Sequence, residues 1–194
     1  MQPQYLIIGQ GIAGTLLSYI LWKHNKSFLV IDDPHKFPKA SLVAGAVINP
    51  VNVNQWTVRG DDQQYIRTAL ETYQTAMLVF HENEYKCRLY DKAQSLHPDY
   101  VQEPDKAEIL LSHRLFRHEY DIGKVAPVWK VNAAELLSAW SGFLKSRGLI
   151  IQEYCKPEEC RPTSKGMRYK DIIAEKIIFC EGAVAAHNPF FSKL

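Results

Sequence analysis

Near the N-terminus of this chain the apolar positions change spacing twice within thirty residues. An unbroken run, Tyr5-Leu6-Ile7-Ile8, gives way to a glycine-rich turn and then to Ile12, Leu16, Leu17, Ile20 and Leu21 at helical spacing. A short continuous run suits a parallel strand covered on both faces, and a stripe at steps of three and four suits a helix lying on a sheet. Ser27-Phe28-Leu29-Val30-Ile31 predicts the next strand.

Further along, Tyr65, Ile66, Ala69, Leu70, Tyr73, Met77 and Phe80 recur at helical spacing behind Asp61 or Asp62, either of which can cap the helix. This aromatic stripe reads as core. Between Tyr85 and Val131 the pattern shortens to strand-like pieces at 87–90, 109–111 and 125–131, separated by polar stretches with Pro98 and Pro104. Asn132-Ala133-Ala134-Glu135 has the form of a capping box and opens a helix with Leu136, Leu137, Trp140, Phe143 and Leu144 on one face, stopped by Gly148. A strand at 149–151 follows. The last apolar run, within 174–180, reads as a buried parallel strand ending in a small-residue turn at Gly182 and Ala183.

The first turn carries the chemistry. Gly9-Gln10-Gly11-Ile12-Ala13-Gly14 is a full GxGxxG between a strand and a helix. Gly9 allows the tight turn, Gly11 lets backbone approach a pyrophosphate, and Gly14 lets the helix pack on the strand. The helix start at Ile12 and Ala13 points N–H groups and partial positive charge at a diphosphate. Asp32 ends the second strand about 20 residues on, where a carboxylate meets a ribose. It accepts hydrogen bonds from the 2′- and 3′-hydroxyls and repels a 2′-phosphate, so FAD or NAD is favoured over NADP. Asp33 leads into a proline-flanked loop over the cofactor edge.

The segment 40–50 is rich in small residues behind a hydroxyl. Ser41 can donate to a phosphate oxygen, and Ala44, Gly45 and Ala46 allow backbone to approach a flat ligand. A small-residue helix or turn packed on the first helix is an equal reading. With the GxGxxG, the acid at Asp32 and this Ser/Ala/Gly-rich stretch ahead of Asn49-Pro50, the sequence resembles the FAD-dependent oxidoreductases of the D-amino-acid oxidase and glycine oxidase family. The likeness returns at 174–183, which matches the family's second dinucleotide signature, with Gly182 beside the diphosphate. It is faint in the middle of the chain.

The resemblance implies an α/β fold: a Rossmann-like FAD-binding domain with a central parallel sheet, plus a smaller α+β substrate (cap) domain with antiparallel strands. The expected boundaries are 1–55 and 131–194 for the FAD-binding domain and 56–130 for the cap. It places Ser41, Ala44, Gly45 and Ala46 along the diphosphate and flavin, and Tyr154 and Cys155 near the adenine. The paired signatures favour FAD over NAD. The implied activity is oxidation of a C–N bond of an amine or amino acid by hydride transfer to flavin, with an aminomethyl group of a modified tRNA base as another substrate. A non-catalytic dinucleotide-binding module and an inactive remnant are the rival readings. The family's proteins run longer, so the chain is expected to be an N-terminal portion, with self-association through an uncovered sheet edge. No catalytic residue is marked.

Composition narrows this further. The 194 residues are 46% hydrophobic and 23% charged, with a formal net charge of +2, which gives no reason to expect a nucleic-acid partner. Arg59 reads as an anion contact or a solvated loop residue, and the cluster 113–118, with Arg114 and Arg117, as carboxylate-binding cations or the solvated face of a sheet. Cys87, Cys155, Cys160 and Cys180 form no CxxC pair and no metal-ligand spacing, so reduced, mostly buried thiols and no metal are expected. No signal peptide or apolar run of about 18 residues is present, and a cytoplasmic setting without a membrane span is expected.

Overall fold

A parallel strand that alternates large apolar residues on both sides needs two different covers, and the first two strands each present such a pair of faces. The computed structural model describes residues 2–35, 40–44, 46–48, 60–75, 80–88 and 122–191. The chain divides into two compact units, Met1–Ala44 with Ala133–Leu194, and Gly45–Asn132.

In the first unit, β1 (Tyr5–Ile8) lies between β2 (Phe28–Asp32) and the strand Lys176–Phe179, with the strand Ile150–Gln152 outside β2; every pairing is parallel. Leu6, Ile8, Leu29 and Ile31 point to one face and Ile7, Phe28 and Val30 to the other, all buried. Helix α1 (Ile12–Lys23) covers the second face through Leu21, together with Leu144 of the helix Ala133–Ser146. The first face is covered by a three-stranded antiparallel meander, Arg161–Thr163, Gly166–Tyr169 and Ile172–Ala174, which contributes Tyr169, Ile172 and Ala174. Each fully buried aliphatic side chain contributes about 1.5–3 kcal/mol, so both covers matter to the sheet.

Helix α1 buries only part of the stripe its spacing suggests: Leu21 is in the core and Leu17 packs against it. Gly14, Thr15, Ser18, Tyr19 and Leu21 are buried, while Ile20 is 42% exposed. Small polar residues win this face because their hydroxyls find partners inside it. Ser18 Oγ donates to the Gly14 carbonyl (2.7 Å) and accepts from Trp140 Nε1 (2.8 Å). Trp140 stacks on Phe143 at 4.6 Å, and edge-on contacts with Tyr19 and Trp22 complete an aromatic seam between the helices.

In the second unit, α2 being reserved for the one-turn helix Ala40–Val43 of the first, β3 (Val47–Ile48), β4 (Phe80–Arg88) and β5 (Ile122–Val131) form an antiparallel sheet in the order β3-β5-β4, and α3 spans Gly60–Thr75. Two sequence expectations are corrected here. Asp61 and Asp62 lie inside the first turn of α3 rather than before it, a position that suits an acid near a helix N-terminus without capping it. Phe80 opens a strand instead of extending the helical stripe, and Tyr65 is 69% exposed. The pieces at 89–90 and 109–111, Met77, Arg59 and the cluster 113–118 lie outside the described residues. The mixed α/β class, with a central parallel sheet and separate antiparallel sheets, is the one expected. Among the described residues no helix is long and apolar enough to cross a membrane.

The remaining labels follow chain order: α4 is Ala133–Ser146, β6 Ile150–Gln152, β7 Arg161–Thr163, β8 Gly166–Tyr169, β9 Ile172–Ala174 and β10 Lys176–Phe179. The apolar run at 174–180 is thus two strands, split at Glu175 where the chain leaves the meander and joins the parallel sheet. β10 is also less buried than its composition suggests, because it pairs on one side only among the described residues.

Candidate functional site

The carboxyl ends of parallel strands leave a crevice wherever the connections diverge, and here β1, β2 and β10 end side by side. Gly9 N–H donates to the Ile31 carbonyl and Cys180 N–H to the Ile8 carbonyl, both at 2.7 Å. The turn after β1 is therefore clamped to both neighbours. Gly9 has φ +103°, and a Cβ there would run into the Cys180 carbonyl. A Cβ on Gly14 would strike the Gly9 carbonyl, so the helix can sit on its own turn only because Gly14 has none. At Gly11 the surroundings open, with only Ser41 Oγ 3.3 Å from where a Cβ would lie.

These strand ends enclose a cleft of about 720 Å³, within the roughly 300–1,000 Å³ range of small-molecule and cofactor sites. One wall is the Gly9–Ala13 backbone with Asp32, Asp33, Ala40 and Ser41. Another is Glu153, Tyr154 and Cys155 beyond β6. The third is the chain leaving β10, from Phe179 through Ala185, with Phe191. Phe191 meets Phe179 edge-on at 5.8 Å. Glu181 in that wall accepts from Asn188 Nδ2 (2.7 Å), and Asn188 is itself buried.

The polar contacts around the turn are specific. Asp32 Oδ1 accepts the Gln10 N–H at 2.7 Å, and Ser41 Oγ accepts the Ile12 N–H at 3.0 Å, the first amide of α1. A carboxylate offers about four lone-pair sites, and a hydroxyl that accepts still carries its own proton. The buried Gln10 side chain donates through Nε2 to Thr15 Oγ1 (3.1 Å) and to the Leu137 carbonyl (3.0 Å), fastening the turn to α1 and α4. Burial, with the Glu181 carboxylate adding to it, pushes the Cys180 thiol up from its ordinary range and favours its neutral form.

Of the residues singled out in the sequence, Gly9, Gly11, Ile12, Ala13, Asp32, Asp33, Ser41 and Gly182 line the cleft, as do Tyr154 and Cys155. Gly14 stands behind it as the packing contact. Ala44 is exposed at the end of α2 and does not line the cleft: the segment coils into one helical turn, its N–H bonded to the Ala40 carbonyl, and only its start faces the glycines. Gly45 lies outside the described residues. Ala46 belongs to the second unit, where it has φ +49° and its carbonyl accepts the Val131 N–H. Sequence reasoning passed over Gln10, Glu153, Glu181 and Phe191. Their signal was positional, since all but Phe191 fall within two residues of a parallel strand's carboxyl end.

No protein-family model matches the chain. Among solved structures, it superimposes on iminodiacetate oxidase from Chelativorans sp. BNC1 with a TM-score of 0.67 at 19% identity, covering 95% of this chain and 56% of that one. Its fold is that of amino-acid oxidases. Glycine oxidase from Geobacillus kaustophilus gives 0.69 at 15% identity (96% and 57%), and L-alpha-glycerophosphate oxidase from Mycoplasma pneumoniae, a structure with FAD bound, gives 0.65 at 13% (97% and 57%). The chain thus spans just over half the length of each of these proteins. The likeness, at such identities, is one of fold.

Proposed function

We propose that the cleft binds FAD and that the chain is the flavin-binding part of an oxidoreductase acting on a C–N bond of an amine or amino acid. The observation that carries this reading is convergence: the Gly9–Ala13 backbone, Asp32 and Gly182, distant in sequence, wall one cleft at the ends of three parallel strands. The amide-rich start of α1 faces the diphosphate, with Ser41 holding the first amide and offering its proton to a phosphate oxygen. Asp32 takes the ribose hydroxyls, its orientation set by the Gln10 N–H. Tyr154 and Cys155 border the adenine, and Gly182 admits the backbone to the diphosphate from the opposite side. Bound flavin supplies the two-electron chemistry, and the chain's own residues hold and shield it. Oxidases in the fold comparison support the amine or amino-acid substrate class.

The test is a titration of the cofactor-stripped chain with FAD, followed by flavin fluorescence and by dialysis. Saturable one-to-one binding, displaced by ADP, is expected, with bleaching of the bound flavin when an amine or amino-acid substrate is added without oxygen. Binding of NAD or ADP with no preference for FAD would favour a non-catalytic dinucleotide module.

A further inference from the structure

Two buried thiols, Cys155 in the cleft wall and Cys160 behind it, lie five residues apart in the chain. Cys155 and Cys160 flank the short turn Pro157–Glu159, whose Pro157 is buried, and are 4% and 1% exposed. Both belong to the meander-side core with Tyr169, where the two thiols are near enough to perturb each other. Cys155 also lines the cleft, so one member of the pair is reached from solvent through the cavity. Cys180 lines the same cleft but packs into the helix-side core, across the sheet from the pair. We propose that Cys155 and Cys160 are a redox-active dithiol in the cleft wall, which a small peroxide entering the cleft converts to a disulfide.

The step balances with hydrogen peroxide as oxidant. One sulfur attacks the O–O bond and becomes a sulfenic acid, its proton leaving with the displaced hydroxide as water. The second sulfur attacks the first, expels the hydroxyl with its own proton as a second water, and closes the S–S bond. The two thiols lose two protons and two electrons, and the peroxide is reduced to two waters. Cys155, the member that lines the cleft, is the sulfur an entering peroxide meets first, and Cys160 is the partner that closes the bond. Tyr169 and the Pro157–Glu159 turn confine both sulfurs to one pocket, and Cys160 N–H is fixed on the Pro157 carbonyl at 3.0 Å. The inference stands on the geometry of the pair and the cleft, whatever nucleotide the cleft takes.

Intact-mass and peptide-mapping spectrometry of the peroxide-treated wild-type chain tests it without any variant. Expected are a loss of two hydrogens, a link between the peptides of Cys155 and Cys160, and full reversal by a dithiol reductant. An unchanged mass, or first oxidation at Cys180, or a link to any other cysteine, would overturn the proposal. FAD at a hundredfold over its measured Kd leaves about one cleft in a hundred open and should slow the reaction by up to about a hundredfold. If FAD is shown bound by fluorescence and the rate does not fall, access through the cleft is wrong and the proposal fails. If FAD does not bind, the flavin reading fails, and the dithiol is judged on the mass change alone. In Cys160→Ser the sulfenic acid on Cys155 should persist and be trapped by dimedone.

Discussion

The turns after β1 and β10 face the same cleft, yet they are held in place by different physics. After β1 the backbone is over-determined: Gly9 is in a conformation side chains avoid, and its missing Cβ makes room for the Cys180 carbonyl. Gly14 makes the same allowance for Gly9. After β10, Gly182 also has positive φ (+62°), but nothing lies within 4 Å of where its Cβ would be. Contact fixes the first turn, and local conformation alone asks for glycine in the second. The one is rigid by packing and the other by preference.

Substitutions should separate these two cases, and the largest effect belongs to the packed turn. Gly9→Ala adds strain and a backbone collision together, and about 2–5 kcal/mol of stability should be lost in denaturant unfolding, along with FAD binding. Asp32→Ala removes the acceptor of the Gln10 amide and the group proposed to hold the ribose. FAD affinity should fall about 10- to 100-fold in the fluorescence titration, with unfolding changed much less. Gly182→Ala meets open space and carries only the left-handed cost, about 1–2 kcal/mol. Should it prove as damaging as Gly9→Ala, the contrast between the turns would be wrong. Ser18→Ala leaves Trp140 Nε1 without its acceptor and should cost about 0.5–1.5 kcal/mol, read from the urea midpoint.

The smallest effect is one of pH. Burial raises Tyr169 above its ordinary value of 10.0 and Cys180 above 9.0, so the folded chain favours their neutral forms. Their contribution is complete below those ordinary values and is lost as pH climbs through the raised ones. Unfolding midpoints should be level near neutrality and decline above about pH 9 to 10. Tyr169→Phe should flatten part of that decline, and a midpoint rising with pH there would contradict the assignment.

The same contrast explains what could be read from the residues. The β1 turn, α1, β2 and Asp32 were legible because, within thirty residues, each leaves a letter: a glycine, a period or an acid. The apolar stripe proposed for α1 is only part of its buried face, because Ser18 is buried against distant Trp140 and Thr15 against Gln10, which is itself tied to distant Leu137. No local pattern announces them. The meander β7–β9 went unseen for another reason: its strands are three or four residues long, too short for a period, and its hairpins turn at Ser164-Lys165 and Lys170-Asp171 without the favoured Asn-Gly pair. For Ser41 the residues suggested a phosphate contact, but its bond to the Ile12 amide could not be read from them, since it exists only once the one-turn helix α2 has formed.

Everything functional rests on a diphosphate lying against the start of α1, and amide chemical shifts of the isotopically labelled chain report on that directly. Addition of FAD, or of ADP alone, should move the amide resonances of Gly11, Ile12, Ala13 and Asp32 most, with Gly182 next and the meander β7–β9 nearly still. Shifts centred elsewhere, or none at saturating nucleotide in a chain whose spectrum is otherwise folded, would contradict a nucleotide site in this cleft.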